Sequence, residues 1–311
     1  MEAPLDSHGI LRRTTVLRYG LTDDHLATEV SAGELVRLGY GAYLPAQSLP
    51  TGPTRGDVRY RYRCVAFGTA DLGKEAPVLS HQSAAAVHRL PLLKADLTAV
   101  HLLSRSTSGG HKRHQRHIHA GLADPETTTT IDDIRVTSLA RTAVDLACLG
   151  GFAQALTALD GALRLGATAD ELTTELSARR RKGITVARRA LAVADGSSES
   201  VGESWSRAQF ILANLPLPAL QRTYQCRTRQ ARVDFDWSAR LVGEFDGHLK
   251  YGRQFLRDGE TATDIVVREK DREDQLRELG LMVVRWLWRD LESGAVVPMV
   301  QRWLKHFGLV H

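Results

Sequence analysis

Arg232-Val233-Asp234-Phe235-Asp236-Trp237 is followed, after Ser238-Ala239-Arg240, by Leu241-Val242-Gly243-Glu244-Phe245-Asp246-Gly247-His248. Val233, Phe235 and Trp237 alternate with Arg232, Asp234 and Asp236, which is strand periodicity. The three residues between the two runs are short enough for a hairpin turn. Four acids, Asp234, Asp236, Glu244 and Asp246, therefore fall on two strands expected to pair. Acids are poor strand residues, and like charges facing one another across a sheet repel. A divalent cation would offset that repulsion, because hard cations take carboxylate oxygens. The plain alternative is that the acids simply face solvent.

Outward from this stretch, Gly202-Glu203-Ser204-Trp205-Ser206-Arg207 precedes it on a predicted helix beginning near Ser200. Gln221 opens a strand before Asp234. Glu269-Lys270-Asp271-Arg272-Glu273-Asp274-Gln275-Leu276-Arg277-Glu278-Leu279-Gly280 comes after it on a helix predicted over 264–279, with Ile265, Leu276 and Leu279 inward. Leu281-Met282-Val283-Val284-Arg285-Trp286 reads as a closing strand.

With Glu203, Asp234 and Glu244 in these settings, residues 197–311 resemble the PD-(D/E)xK nuclease superfamily, in particular very-short-patch-repair endonucleases. The resemblance implies a restriction-endonuclease-like α-β-β-β-α-β core and Mg²⁺ (or Mn²⁺) held by Asp234, Glu244 and Glu203. It also implies hydrolysis of DNA phosphodiester bonds. One departure stands out: the superfamily's lysine, two residues after the second acid, is replaced by Asp246. Lys250 or Lys270 is the expected substitute amine, and Asp246 shares a strand face with Glu244 by parity.

The remaining 196 residues divide by composition. Residues 1–47 carry a net charge of −2, residues 48–196 of +6 and residues 197–311 of +1. The expected domains are 1–47, 48–196 and 197–311, an α/β (α+β multi-domain) chain with a mixed α/β, then helical, basic middle. The positive excess permits nucleic-acid contact.

In the first part, helices are expected over 11–19 and, capped by Thr22, over 23–30. A hairpin is expected over 34–45. This helix, helix, hairpin outline resembles the winged helix-turn-helix of AbiE-type antitoxins, which implies DNA binding and a toxin–antitoxin partner protein. Asp23, Asp24 and Glu29 on the second helix oppose phosphate contact.

Within the middle, Arg179-Arg180-Arg181-Lys182 is the strongest charge run, and Lys112 and Arg113 lie in a second basic segment. Both are expected to contact DNA phosphates. His111, His114, His117 and His119 crowd that second segment. They are weighed as a zinc site against an exposed basic loop, and the loop is favoured because no Cys or acid accompanies them.

Three widely spaced cysteines, Cys64, Cys148 and Cys226, argue against a disulfide framework. No apolar run approaches a membrane span, so a soluble cytoplasmic protein is expected. Two functions are consistent with these readings. One is a metal-dependent DNA endonuclease with accessory DNA-binding regions. The other is an antitoxin-like transcriptional regulator whose nuclease-like domain does not cut.

Overall fold

The computed structural model describes residues 3–39, 41–70, 77–104, 110–113, 115–121, 124–178, 182–247 and 262–310. It is mixed α/β, with helices and several small sheets. The chain divides into two compact units. One comprises Met1–Leu149 and Ala167–Arg181, the other Gly150–Gly166 and Lys182–His311. The composition-based boundaries at 47/48 and 196/197 lie elsewhere. Ile10, Leu38, Ala42 and Leu44 share one apolar core with Tyr60, Phe67, Leu79, Val100 and Ile134, which binds residues 1–47 to the rest of the first unit.

The first unit opens with β1 (Leu11–Arg12), α1 (Arg13–Arg18), α2 (Asp23–Ser31), β2 (Leu35–Gly39) and β3 (Ala42–Pro45). The strands form a sheet in the order β1-β3-β2. The helix expected over 11–19 is shorter at its start, because Leu11 and Arg12 pair with Tyr43 and Ala42. Thr22 caps α2, its Oγ1 accepting from the His25 N–H. Asp23, in the first turn, takes a two-pronged bond from Arg13 at 2.6 Å on each arm.

Then come α3 (Arg55–Gly68), α4 (His81–His88), β4 (Val100–Leu103), β5 (His111–Arg113), β6 (Arg116–His119), β7 (Thr128–Ile131), β8 (Ile134–Thr137) and α5 (Leu139–Leu149). β4 runs parallel to β6, and β5 antiparallel to it. Tyr60 of α3 ties α4 to the strand region. Its hydroxyl donates to the Ala99 carbonyl at 2.9 Å and meets Ser83 Oγ at 2.8 Å. Ser80 precedes α4 without a side-chain cap bond, and its Oγ lies 3.0 Å from His81 Nδ1.

The chain continues through α6 (Phe152–Arg164) in the second unit and α7 (Ala169–Ser177) in the first. The rest of the second unit is α8 (Ile184–Leu191), α9 (Val201–Leu212), β9 (Ala219–Gln225), β10 (Gln230–Trp237), β11 (Leu241–Phe245), α10 (Ala262–Glu278), β12 (Met282–Trp286), α11 (Trp288–Ser293) and α12 (Val296–His306). Its sheet has the order β12-β11-β10-β9. β9, β10 and β11 are antiparallel, and β12 joins β11 in parallel after the α10 crossover.

Phe210, Phe235, Trp237 and Trp286 build the core on the α9 side, with edge-on contacts from Phe210 to the other three rings. Leu276 of α10 is buried with Val233, Val242 and Val283. Leu279 is exposed, contrary to its expected inward position, because α10 ends at Glu278 and the chain turns through Gly280 at φ +79°. Ile265 belongs to a part of α10 whose side chains lie outside the described residues. α11 and α12 were not anticipated. Val296, Val300 and Leu304 bury one face of α12 at the four-residue spacing of an amphipathic helix.

A buried ion pair organises the segment leading into α9. Asp160 of α6 accepts from Arg207 Nη1 at 2.7 Å, Ser204 Oγ at 2.8 Å and the Asp195 N–H at 2.8 Å. Residues 194–200, a polar linker by composition, are thus clamped between two helices. Among the described residues no helix is long and apolar enough to cross a membrane.

Candidate functional site

The strand pairing fixes where the acids meet. Phe235, Asp236 and Trp237 sit opposite Gly243, Val242 and Leu241. Continuing that register sets Asp234 beside Glu244. In the parallel pair, Glu244 lies beside Arg285. Glu203 arrives from the first turn of α9, which comes close to β11 because residue 202 is glycine. A Cβ there would lie 2.0 Å from the Phe245 ring.

Glu203, Asp234, Glu244 and Asp246 line one cavity of about 600 Å³ together with Arg232, Lys270, Arg272 and Arg285. Asp236, the fourth acid of the quoted stretch, is elsewhere. It is buried at the turn end of the hairpin and accepts from Arg222 at 2.7 Å, Tyr224 at 2.9 Å and the Ala239 N–H at 3.0 Å.

Each acid in the cavity is held differently. Glu203 closes a cap on its own helix: Ser200 Oγ donates to Oε1 at 2.7 Å, and Ser200 Oγ accepts from the Glu203 N–H at 3.2 Å. The second of these bonds satisfies one helix-end donor. The Glu199 N–H and the Gln221 amide donate to Glu203 Oε2 at 2.8 and 2.9 Å. Gln221 makes that bond from a left-handed backbone, φ +54°, inside strand β9.

Asp234 accepts the Phe245 N–H at 2.8 Å. Burial pushes its carboxyl up to about 7, and the charges of Glu203 and Glu244 push the same way against Phe245 and Arg272. Asp246 has an Oδ1 that is buried and lacks a hydrogen-bond partner among the described residues. Its backbone N–H donates to the Trp286 carbonyl at 2.9 Å, which extends the β11–β12 pairing.

Glu244 is held by two guanidiniums. Arg272 donates to its Oε1, and Arg285 Nε to its Oε2 at 2.8 Å. Arg285 also meets Glu273 at 3.2 Å, and Arg272 meets Glu269 at 3.4 Å. The sequence reading missed both arginines. The signal was present: 269, 272 and 273 share a helical face, and Arg285 sits in the closing strand.

The cavity collects the expected acids, but no three of them bring ligand atoms within 4.8 Å of one another. Among the described residues, the one group of three or more possible metal ligands within 4.8 Å is His81, His101 and His119. Of the expected amines, Lys270 lines the cavity, and Lys250 lies outside the described residues, as does His248. Arg179, Arg180 and Arg181 also lie outside them. Lys182 is exposed in the turn before α8, in the second unit, whereas Lys112 and Arg113 are consecutive on β5 in the first.

The histidine segment differs from an exposed loop. His117 and His119 are on β6, half-buried, and His111 is exposed on β5. His114 lies outside the described residues. The His119 ring stacks on His81 at 3.6 Å between centroids and on His101 at 5.0 Å. Burial, with neighbouring imidazoles second, lowers His101 to about 4 and His119 to about 2. Both shifts favour the neutral imidazole at His101 and His119.

No known family profile matches the chain. Two curated relatives, described as uncharacterized proteins MT2308 and Rv2248 of Mycobacterium tuberculosis strains CDC 1551 and H37Rv, are each 33% identical over 174 residues. The match covers 54% of this chain and 61% of each relative, so the chain spans less than two thirds of their length. The crystal structure of the Rv2827c protein from M. tuberculosis has a TM-score of 0.36 at 14% identity, over 72% of this chain and 84% of that one. A likeness of that size bears on neither fold nor function.

Proposed function

We propose that the second unit is a metal-dependent DNA endonuclease of the PD-(D/E)xK type, using Mg²⁺ or Mn²⁺ to hydrolyse phosphodiester bonds. Asp234 is the observation that carries this reading. It is a buried carboxyl on the wall of a polar cavity, flanked by two other acids, with its proton affinity raised to about 7. Strongly shifted groups in clefts are functional-site candidates. The order α9, β9, β10, β11, α10, β12 supports the reading, as does the parallel closing strand.

The donor chemistry fits a hard cation. Asp234 and Asp246 bring carboxylate oxygens, and Asp246 Oδ1 is a buried atom in want of a partner. The cavity lining holds six acids and five bases, so its walls offer little net attraction to a polyanion without a cation. Asp234, Glu244 and Glu203 would hold the metal, which when bound polarises phosphate and activates water. Asp234 must lose its proton first, and Glu244 must leave Arg272 or Arg285. Gln221 keeps Glu203 aimed at the cavity, and Lys270 at the rim offers an ammonium to a phosphate.

Lys112, Arg113, Lys182 and Arg179–Arg181 would supply accessory contacts to the DNA backbone. The short helices α1 and α2 with the β2–β3 hairpin support a winged helix-turn-helix reading of residues 1–47. Asp23, engaged by Arg13, remains a poor phosphate reader.

A second reading is favoured by the arginines on Glu244 and by Asp246 in the lysine's place. It is a DNA-binding, antitoxin-like regulator whose nuclease-like unit does not cut and pairs with a toxin-type partner. The deciding experiment incubates the full chain with plasmid, branched and single-stranded DNA in Mg²⁺, Mn²⁺ or EDTA. Metal-dependent cleavage lost in Asp234→Asn supports the enzyme. DNA retention without cleavage of any form supports the regulator.

A further inference from the structure

We propose that His81, His101 and His119 form a binding site for a divalent transition-metal ion, Zn²⁺ by preference, in the first unit. The backbone brings the three rings together before any metal is considered. β4 and β6 run parallel, with His101 beside His117 and Leu103 beside His119. His101, His117 and His119 therefore project to the same face of the sheet, because side chains alternate along a strand. His81 is the first residue of α4. The Ser80 N–H donates to the His101 carbonyl at 3.0 Å, and the His101 N–H donates to Ser83 Oγ at 2.8 Å. Those two bonds fix the start of α4 against β4.

His81 also holds a left-handed backbone, φ +49°. Non-glycine residues rarely hold that conformation, and those that do cluster at functional sites. From that backbone the His81 ring stacks on His119 and lies tilted, 6.0 Å between centroids, to His101.

The ring geometry suits a shared ion. His101 Nδ1 and His119 Nε2 are 2.8 Å apart, and one ligating atom from each of the three histidines lies within 4.8 Å of the others. Tetrahedral zinc at about 2.0–2.1 Å from nitrogen sets ligand nitrogens roughly 3.3 Å apart. Replacing the proton between His101 and His119 by a metal thus requires those two atoms to part by about 0.5 Å. The stacked His81 and His119 rings must also turn out of parallel to point at one centre.

One outer partner is in place. Ser80 Oγ engages His81 Nδ1 at 3.0 Å, and ligand histidines commonly use their second nitrogen in this way. The group contains no Asp, Glu or Cys. An all-imidazole set suits Zn²⁺, Cu²⁺ or Ni²⁺ and selects against Mg²⁺. Three protein ligands leave the fourth position of a tetrahedral ion to water or to a small ligand. This chemistry is distinct from the oxygen-lined cavity of the second unit.

The test is titration of the metal-stripped full chain with Zn²⁺, and separately with Co²⁺, in excess Mg²⁺ to occupy oxygen sites. The expected results are about one Zn²⁺ per chain and the visible absorption of tetrahedral Co²⁺, displaced by Zn²⁺. His101→Ala and His119→Gln should each weaken Zn²⁺ binding by more than the roughly 10- to 100-fold cost of losing an outer-shell partner. His111→Ala, on the exposed strand, should bind as the parent does. Circular dichroism checks that the variants fold, and the Co²⁺ spectrum of the parent stands independently of them. An absence of tetrahedral Co²⁺ absorption overturns the proposal. So does Zn²⁺ binding that survives in folded His101→Ala and His119→Gln.

Discussion

Gln221 Nε2 donates to Glu203 Oε2 at 2.9 Å from a backbone at φ +54°. A strand residue has been turned into a left-handed conformation to deliver one hydrogen bond to an acid on another element. Glycine adopts that φ without the Cβ penalty. Gln221→Gly should therefore melt no lower than the parent while releasing one side of Glu203. Under the endonuclease reading, cleavage should fall by roughly 10- to 100-fold, the usual cost of losing such a supporting partner. Thermal melting and single-turnover cleavage measured together check it. A variant that melts lower and cuts normally would make Gln221 a stability residue.

Asp234 gives a pH signature. Its carboxyl titrates near 4 when unfolded and at about 7 when folded, through burial and then the charge of Glu203. Between those values the folded state holds the extra proton, so stability falls as pH rises. The loss is complete above pH 7 and amounts to on the order of 2–4 kcal/mol. In EDTA, Asp234→Asn should exceed the parent in stability at pH 8 and converge with it near pH 4. Denaturant melts across pH 4–8 measure the difference. Equal curves for the two proteins would show that Asp234 is not desolvated.

Much of the second unit was legible because its signals are local. Alternation at Val233, Phe235 and Trp237 placed β10, and the Ser200 to Glu203 spacing marked the start of α9. What sequence could not supply was pairing between distant charges. Nothing in the order of residues says that Arg272, twenty-eight positions on, closes over Glu244, since that depends on the parallel return of β12. His81 was likewise invisible as a neighbour of His119, because thirty-eight residues and a helix-to-strand bond separate them. The four-histidine run at 111–119 drew attention to sequence proximity, whereas the fold selected by strand parity. α12 was the opposite case: Val296, Val300 and Leu304 carried a plain four-residue period.

Asp160 and Arg207 test the clamp on residues 194–200. Asp160 is fully buried, and its proton affinity is raised by burial although Arg207 opposes this. Removing one member leaves a buried charge alone, which costs about 3–5 kcal/mol. Arg207→Ala should therefore lose that much, with a lower melting temperature. The double variant Asp160→Leu, Arg207→Met should recover a large part of it, because neither charge then needs a partner. Urea melts of the three proteins decide it. A double variant worse than Arg207→Ala would show that Ser204 and Asp195 depend on Asp160 more than Arg207 does.

Arg272 occupies the carboxylate that the endonuclease reading assigns to metal. Its guanidinium donates to Glu244 and Glu269, and Arg285 holds the other oxygen of Glu244. A cation binding at Glu244 competes with both. Removing Arg272 frees one oxygen and deletes one positive charge from the wall. Arg272→Ala should therefore bind Mn²⁺ more tightly than the parent, seen as a lower Mn²⁺ concentration for half of the metal-induced rise in melting temperature. Without metal the same variant should be less stable by about 1–3 kcal/mol, because Glu244 is buried and loses a charge-assisted donor. Glu244→Gln should abolish the metal-induced rise altogether, since a neutral amide does not replace a carboxylate ligand. The two variants move metal affinity in opposite directions from one residue pair, which nonspecific surface binding would not do. If parent and Arg272→Ala show no Mg²⁺ or Mn²⁺ response at all, Glu244 is a structural ion-pair partner, and the non-cleaving regulator becomes the better account of the second unit.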